Sequence, residues 1–291
     1  MRLCAAAKIN WTLEVLGRRG DGYHEVRSLI QTVGLCDALE FTPADRLELQ
    51  VEGAHQPSQH DLVLRAAALL GGGGGGGARI RLNKRVPVAA GLGGGSSDAA
   101  AALRGLNELW RLGYSDARLA EMGAGVGSDV AFFVYGGTAL AEGRGERITS
   151  LPDLPPTWLV LLAPPFRLPE KTGRMYAALT PAGFTDGART EALQRRLHRG
   201  LPIADADLYN VFQRAAYEVF EGLDAYRDAL LAAGARRVHL AGSGPALFAL
   251  SPDEGTARAV HERLRPPAGQ AAVWALVVRT LTAAEARVIE G

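Results

Sequence analysis

The spacing of hydrophobic and polar residues in the first half of the chain predicts strands with helices between them. The strands are expected over 6–15, 26–39 and 78–82, and a hairpin over 138–142 and 146–149. Helices are expected over 61–70, from residue 96 or 97 through 110, and over 115–122, with a short apolar segment at 130–135.

The second half contains the same kinds of element in another order. A buried strand is expected over 158–163, followed by helices over 170–179, 189–199, 207–221 and 224–233. Strands over 237–241 and 246–250, a helix over 253–264 and a strand over 272–279 complete the pattern. This order resembles a split βαββαβ layer, and because neither half alternates strand and helix regularly, we expect an α+β protein.

Prolines separate the two halves. Pro152, Pro155 and Pro156 lie in a short segment between the hairpin and the next buried strand. Domain boundaries fall in segments of this kind, so we expect one domain over 1–152 and a second over 157–291.

Composition limits the class of protein. Of the 291 residues, 47% are hydrophobic and 22% are charged, as in a soluble globular protein with a large core. A net charge of +1 and scattered arginines give no support for nucleic-acid binding. No apolar run reaches membrane-spanning length, and residues 3–7 are too few for a signal peptide, so we expect a cytoplasmic protein.

The cysteines and histidines show no metal-binding pattern. Cys4 and Cys36 have no partners at metal-ligand spacing and do not make a disulfide framework, so we expect free thiols in the core. The six histidines form no i,i+4 pair. Any metal ion is therefore expected to arrive with a phosphate-containing substrate.

The segment Gly91–Asp98, with the sequence Gly-Leu-Gly-Gly-Gly-Ser-Ser-Asp, joins a glycine loop to a predicted helix start. Glycines let backbone N–H groups approach a large oxyanion, and the helix end adds unpaired N–H donors. We expect Ser96 or Ser97 to cap the helix and Asp98 to lie in its first turn. The alternative is a flexible connector, as we expect of the run Gly71–Gly77, but the strand-like residues before the loop favour phosphate binding.

The loop differs from the two common phosphate-binding motifs. No lysine follows its glycines, which excludes the P-loop of NTPases. A dinucleotide fingerprint needs the glycine turn directly after a strand and an acidic strand end about 20 residues later. Neither condition is met, because residues 83–90 separate strand from loop and 115–122 is predicted to be helical.

Charged residues and turns outside the loop are further candidates for chemistry. Lys8 is one of three lysines among 32 basic residues and lies in a small apolar segment. Its ammonium either has a partner there or reaches water. Asp129 lies at a predicted helix start, where it either caps the helix or accepts a proton during phosphoryl transfer. Gly242–Gly244 is either an anion-binding turn or a hairpin turn.

Five segments together resemble the GHMP kinase superfamily in order and spacing. They are Ala6-Ala7-Lys8-Ile9-Asn10, Asp21-Gly22-Tyr23-His24, 87–97, Gly127-Ser128-Asp129-Val130 and Gly242-Ser243-Gly244. The resemblance covers nearly the whole chain. It implies a two-domain fold with a ribosomal-S5-domain-2-like N-terminal half and a ferredoxin-like C-terminal half.

The resemblance also implies an ATP-dependent kinase for a small molecule, with Mg²⁺ arriving with ATP and no protein residue assigned as a metal ligand. The Lys-x-Asn start and the Asp-Gly-Tyr-His turn resemble members that phosphorylate the 2-hydroxyl of a cytidyl diphosphate methylerythritol in non-mevalonate isoprenoid synthesis. Residues implied around the ATP phosphates are Pro87, Val88, Ala89, Ala90, Gly91, Leu92, Gly93, Gly94, Gly95, Ser96 and Ser97.

Roles for other residues follow from the same resemblance. It implies that Asp129 is the general base and that Lys8 polarises the substrate hydroxyl. It implies that Asn10, Tyr23 and His24 contact the cytidyl substrate, with Thr172 as a more loosely matched contact. Two departures stand out: Ala89-Ala90 where the superfamily often has glycine, and Glu170-Lys171-Thr172 where a small hydroxylated pair is typical.

Two other functions remain open at this stage. Another kinase of the superfamily would act on mevalonate, homoserine or a sugar, and the Tyr23-His24 pair speaks against it because those substrates offer no base to bind. A non-catalytic nucleotide-binding protein would bind ATP without turnover. The sequence leaves open whether the protein is a monomer or a homodimer.

Overall fold

The computed structural model describes residues 1–52, 61–71, 76–270 and 272–290, which form two β-sheets with helices packed on them. The strands are β1 (Arg2–Arg18), β2 (His24–Ala44), β3 (Glu48–Glu52), β4 (Gly77–Asn83), β5 (Thr138–Gly143), β6 (Arg147–Leu151), β7 (Trp158–Ala163), β8 (Tyr209–Asn210), β9 (His239–Leu240), β10 (Leu247–Ser251), β11 (Trp274–Arg279) and β12 (Ile289–Glu290). The helices are α1 (Leu62–Leu70), α2 (Gly94–Leu109), α3 (Asp116–Ala124), α4 (Val130–Tyr135), α5 (Lys171–Ala177), α6 (Ala188–His198), α7 (Gln213–Val219), α8 (Leu223–Ala232), α9 (Glu254–Arg263) and α10 (Ala283–Ala286).

The first sheet is built on the long antiparallel pair β1–β2. Its main path runs β12-β1-β2-β4-β3, while β5 pairs with the other end of β2 and β6 pairs with β5. The β1–β2 register shifts at three places, one of them between Asn10 and Thr12. Side chains two apart on a strand share a face, so Lys8 and Asn10 point to the same side of β1.

Helices α1 to α4 cover one face of this sheet. Their apolar side chains, among them Leu103, Leu106 and Phe132, form one core with Phe41 and Ile80 of the strands. The close approach of α2 to β2 requires a small residue, which is Gly105: a Cβ there would lie 2.6 Å from the Phe41 ring. The sheet thereby fixes the position of α2, whose N-terminus is part of the site described below.

The second sheet has the order β11-β7-β10-β9 and is antiparallel. Helices α7, α8 and α9 supply Phe212 at the start of α7, Leu223, Tyr226 and Val260 to its core. A third buried cluster joins the two sheets and includes Trp11 of β1 and Phe248 of β10, whose ring centroids lie 6.3 Å apart.

Strands from the second half of the chain also complete the first sheet. β8 pairs with β1 in parallel and β12 pairs with β1 antiparallel. The division into 1–152 and 157–291 stays a prediction, and the two segments share one sheet and one core cluster.

Most of the expected strands and helices are confirmed, and three features of the fold differ from what the sequence led us to expect. The helix over 207–221 is limited to Gln213–Val219, because Asn210 lies in β8 and its Oδ1 accepts from Phe212 N at 2.9 Å. The edge strand β3 was not expected, since its five residues show little apolar periodicity.

The third difference concerns the cysteines. Cys4 and Cys36 are half-buried and form a disulfide, although free core thiols were expected. The β1–β2 register places Cys4 opposite Ala38 and Ala6 opposite Cys36, which brings the two cysteine Cα atoms to 5.7 Å. A separation of 32 residues in sequence gives no sign of this pairing.

No helix in the described part of the chain combines the length and the apolar character needed to cross a membrane. The expected polyglycine loop lies partly outside the described residues.

Candidate active site

The glycine loop, residues 87–93, is held between β1 and the segment that follows β9. Lys8 N donates to Leu92 O at 2.9 Å, and Ala246 N donates to Ala90 O at 2.9 Å. Backbone hydrogen bonds from both halves of the chain therefore fix the loop, so it is not a flexible connector.

Close packing makes glycine necessary at two positions of this loop. Gly91 has φ +91°, and a Cβ there would lie 2.3 Å from Ala241 O. Gly93 has φ +75°, and a Cβ there would lie 2.6 Å from the Phe133 ring. Ala89 also has a positive φ of 58°, a backbone conformation that favours glycine.

Helix α2 begins earlier than expected. Its N-cap is Gly93, no side chain caps it, and Gly94 is its first residue, so the expectation that Ser96 or Ser97 caps it is wrong. The glycines let the helix start before the serines, and Ser97 Oγ instead donates to Ala6 O at 2.7 Å. The first N–H groups of a helix have no intrahelical acceptor, and those of α2 lie where the loop borders a cavity.

Lys8, Asn10 and Asp129 form a polar group at the end of this loop. Lys8 is 5% exposed, so it does not reach water with its head group. Its Nζ donates to Asn10 Oδ1 at 2.9 Å and lies 3.7 Å from Asp129 Oδ2. Asn10 is fixed in turn, because its Nδ2 donates to Ser28 Oγ at 2.7 Å.

Asp129 occupies the N-cap position of α4 but does not cap the helix with its side chain. The carboxylate is 33% exposed and borders both cavities described below. Of the two roles open from the sequence, the geometry therefore favours proton acceptance over capping.

A second charge group, in which both carboxylates are buried, supports the loop from behind. Lys84 Nζ donates to a carboxylate oxygen of Asp37 and, at 2.6 Å, to Asp98 Oδ2. Asp37 also accepts from Val86 N at 2.8 Å. Burial raises the pKa of Asp98 well above its usual range, against the opposing effect of Lys84. Asp98 was expected in the first turn of α2, but it is the fifth residue of that helix and pairs with Lys84.

Two adjoining cavities meet at Lys8 and Asp129. The first, about 720 Å³, is bordered by the whole glycine loop, by Lys84 and by Lys171. The second, about 910 Å³, is bordered by Asn10, Tyr23 and His24. Residues shared by both are Lys8, Ser96, Asp129, Thr172, Gly173 and Ser243. The structure therefore brings together all the site residues expected from the sequence except Ser97, whose hydroxyl is turned to β1.

The second cavity has an aromatic wall. His24 stacks on Tyr176 with centroids 4.7 Å apart and planes at 24°, and Phe184 meets the same imidazole edge-on at 6.0 Å. Tyr23 is 54% exposed, with the guanidinium of Arg144 4.7 Å from its ring. Burial lowers the pKa of His24, as does Arg18, so the imidazole is neutral at neutral pH.

Three residues of the site were not found from the sequence. Tyr176, Arg144 and Lys84 were not assigned to it. The chain has only three lysines, and all three border the first cavity. This scarcity of lysine could have pointed to Lys84 as a site residue. Tyr176 and Arg144 gave no such signal, since helices and hairpin turns commonly carry an exposed aromatic or arginine.

The turn Gly242–Gly244 connects two antiparallel strands, β9 and β10, and also borders the cavities through Ser243. Asn210 Nδ2 donates to Leu240 O at 2.9 Å and to Gly242 O at 2.8 Å, which holds the turn against β8. The turn is therefore a hairpin turn, and it also forms part of the wall of the site.

Comparison with known proteins identifies similar chains. Residues 61–137 match the family model described as GHMP kinases N terminal domain, and residues 190–267 match GHMP kinases C terminal. A 4-diphosphocytidyl-2-C-methyl-D-erythritol kinase of Pelotomaculum thermopropionicum is 47% identical over 90% of this chain and 92% of its own length. Its counterpart in Dehalococcoides mccartyi strain 195 is 43% identical over 91% of this chain and 94% of its own length.

Solved structures give the same result. A crystal structure of 4-(cytidine 5'-diphospho)-2C-methyl-D-erythritol kinase is 36% identical, with a TM-score of 0.80, over 96% of this chain and 99% of that chain. A homoserine kinase of Cytophaga hutchinsonii is 16% identical, with a TM-score of 0.67, over 97% of this chain and 94% of that chain. The second likeness concerns the fold alone.

Proposed function

This chain belongs to the GHMP kinases, within the family of 4-diphosphocytidyl-2-C-methyl-D-erythritol kinases, and on that premise we propose how its cleft works. The reaction transfers a phosphoryl group from ATP to the 2-hydroxyl of 4-diphosphocytidyl-2-C-methyl-D-erythritol, giving the 2-phosphate and ADP. It is a step of the non-mevalonate isoprenoid pathway. The observation that carries the site assignment is the position of the Lys8–Asp129 pair, where the glycine-loop cavity meets the aromatic cavity.

ATP binds with its phosphates along the glycine loop. Residues 87–97 offer backbone N–H groups and the uncapped N-terminus of α2, both suited to phosphate oxygens. The γ-phosphate then faces the Lys8–Asp129 pair at the border of the second cavity.

The transfer needs one base and several positioned charges. The substrate hydroxyl oxygen forms a bond to the γ-phosphorus, the bond to the bridging oxygen breaks with its electrons passing to ADP, and the hydroxyl proton passes to Asp129. Lys8 lies 3.7 Å from Asp129 and polarises the hydroxyl. Asn10 positions the Lys8 ammonium, and its own hydrogen bonds to Lys8 and Ser28 hold it in place.

Magnesium is expected with ATP, and the cleft offers oxygen donors for it. The part of the chain that the structure describes contains no cluster of three or more His, Cys, Asp or Glu side chains that would hold a metal ion by itself. Asp98 Oδ1 is a buried carboxylate oxygen without a hydrogen-bond partner in the described residues, and Ser96 borders the same cavity. These two residues would hold Mg²⁺, and the ion would neutralise phosphate charge there.

The aromatic cavity takes the cytidyl group. Tyr23 stacks on the base, and the neutral His24 hydrogen-bonds it, supported by Tyr176 behind the imidazole. Burial raises the pKa of Tyr176 to about 12, so its hydroxyl stays protonated. Thr172 borders both cavities and contacts the substrate near the reacting hydroxyl. Mevalonate, homoserine and sugars have no base to occupy this wall. We place the enzyme in the cytoplasm, where ATP is available.

The decisive experiment measures ADP release from Mg·ATP with the cytidyl substrate, beside mevalonate, homoserine and galactose. Turnover confined to the cytidyl substrate is the expected result. Turnover with another acceptor would support kinase activity but contradict this substrate. No ADP release with any of the four acceptors, despite ATP binding, would favour a non-catalytic protein.

The role of Asp129 has its own test in the same assay. Asp129→Asn keeps the size of the side chain but removes the base, so we expect kcat to fall by a factor on the order of 10² to 10⁴ with ATP affinity nearly unchanged. Asp45→Asn, an exposed change in the segment after β2, is the matched control and should leave both unchanged. Near-normal turnover of the Asp129 variant would remove it from the mechanism.

A further inference from the structure

We propose that Lys171 is a second phosphate-binding cation, which reaches the γ-phosphoryl group of ATP from the C-terminal half while Lys8 approaches from the N-terminal half. The proposal rests on the proposed function, because it assigns a role within the same cleft. The resemblance to the superfamily assigned no role to Lys171.

The position of Lys171 brings its ammonium to the glycine loop. It is the first residue of α5, and it borders the first cavity but not the second. Its Nζ donates to Gly244 O at 2.5 Å, and that oxygen lies 2.9 Å from where a Cβ on Gly91 would be. The ammonium therefore lies close to Gly91 of the glycine loop, which borders the same cavity.

The ammonium of Lys171 has no counter-charge of its own. Gly244 O is its one hydrogen-bond acceptor among the residues that the structure describes, and no described carboxylate lies within ion-pair distance of it. Burial, together with the nearby Lys8, lowers the pKa of Lys171 to about 8, while Asp129 has the opposite effect. Two ammonium groups thus face one shared carboxylate, and an anion such as a phosphate group would balance them.

Lysine usage in the whole chain supports the same assignment. Only three of the 32 basic residues are lysines, and all three border the first cavity. Lys84 is fully occupied by Asp37 and Asp98, and Lys8 is shared between Asn10 and Asp129. Lys171 is the lysine whose N–H groups remain available to a ligand. A compact ammonium suits a single phosphate oxygen better than the wide guanidinium of arginine does.

The chemistry of this role is electrostatic. As the bond from the γ-phosphorus to the bridging oxygen breaks, its electrons pass to ADP, and the hydroxyl proton passes to Asp129. Lys171 keeps its proton throughout and stabilises negative charge on the γ-phosphoryl oxygens. A purely structural alternative is that Lys171 only ties α5 to the turn at Gly244.

Two substitutions separate these roles. Lys171→Gln removes the charge but keeps an N–H donor for Gly244 O, whereas Lys171→Arg keeps the charge. Arg174→Met, one turn along α5 on its exposed side, is the matched control for loss of a positive charge. The measurements are the Kd of a non-hydrolysable ATP analogue, the Kd of ADP and the melting temperature.

We expect Lys171→Gln to weaken binding of the ATP analogue by about 10- to 100-fold, because one charge-assisted contact to the γ-phosphate is lost. ADP binding should change by less than about 3-fold, since ADP lacks that phosphate. Lys171→Arg should recover part of the preference for the ATP analogue, and Arg174→Met should behave as the wild type.

Equal weakening of the ATP analogue and ADP, or no change in either, would overturn the proposal and leave Lys171 as a structural tie. If Lys171→Gln does not fold, Lys171→Arg decides instead. A change in its ratio of Kd for the ATP analogue to Kd for ADP would support contact with the γ-phosphate, because the arginine cation has a different shape, and an unchanged ratio would overturn the proposal. Failure of the proposed function is a separate result: it would appear as absent turnover in the wild type, whereas the binding ratios need no acceptor substrate.

Discussion

At the scale of single residues, the site depends on buried charges whose partners lie far away in sequence. Lys84 neutralises Asp37 and Asp98, which come from β2 and α2, and Asp37 also accepts backbone N–H groups at the entry to the glycine loop. Removing one member of such a group leaves an uncompensated charge in a dry environment, which costs more than losing an exposed ion pair.

We therefore expect Lys84→Met to lower the free energy of unfolding by about 3–5 kcal/mol. Urea denaturation measures this loss, and Arg85→Met, an exposed neighbouring change, should cost less than about 1 kcal/mol. Burial raises the pKa of Asp98 above that of the unfolded chain, and without Lys84 the main opposing effect is lost. The loss should then be smaller near pH 5 than near pH 8, as roughly one protonation removes the unpaired charge. A loss below about 1 kcal/mol would contradict the structural role of this group.

At the scale of elements, the glycine loop combines a left-handed backbone with contacts from both halves. Gly91 illustrates both features, because its φ is +91° and its Cα faces Ala241 O and Gly244. Any side chain there must displace the turn after β9 or the loop itself.

Gly91→Ala is expected to lower kcat/KM for ATP by about 100-fold or more, since shifts of about 1 Å in a positioned group have effects of that size. Steady-state kinetics with varied ATP measures it. Gly71→Ala is the control: Gly71 ends α1 with φ −69°, and a Cβ there would contact nothing within 4 Å. Unchanged kinetics in Gly91→Ala would show that the loop is not fixed against that turn.

At the scale of the whole molecule, the two halves share a sheet and a core. β8 and β12 extend the first sheet at β1, and a buried cluster that includes Trp11 and Phe248 joins it to the second. The catalytic cleft lies where they meet, so the second half supplies Lys171, Thr172 and Ser243 to a site built on the glycine loop of the first.

A fragment of residues 1–152 should accordingly fail to fold stably by itself. Its β1 would lack two strand partners, and Trp11, which is 0% exposed in the full chain, would face water. Trp fluorescence and urea unfolding should show a broad transition with red-shifted emission. Mixing with residues 157–291 should restore the native emission. A cooperative transition in the isolated fragment would contradict this expectation and support the two segments as independent domains.

Local patterns predicted the elements well, because periodicity reports which face of a strand or helix is buried. Predictions were weakest where a distant partner decides the outcome. Asn210 ends an expected helix through bonds to Leu240 and Gly242, and β3 forms as an edge strand beside β4. The disulfide of Cys4 and Cys36 depends on the register of two strands.

The sequence by itself determined the α+β class, the glycine loop and the residue types that phosphoryl transfer needs, since each of these depends on local spacing and on chemical type. Only the tertiary structure decided that Asp129 faces the cleft beside Lys8, that Lys84 pairs with two carboxylates, and that Lys171 borders the glycine-loop cavity with a carbonyl as its acceptor. The physical reason is that charge pairing and burial are properties of groups brought together from different elements, and spacing along the chain does not record them.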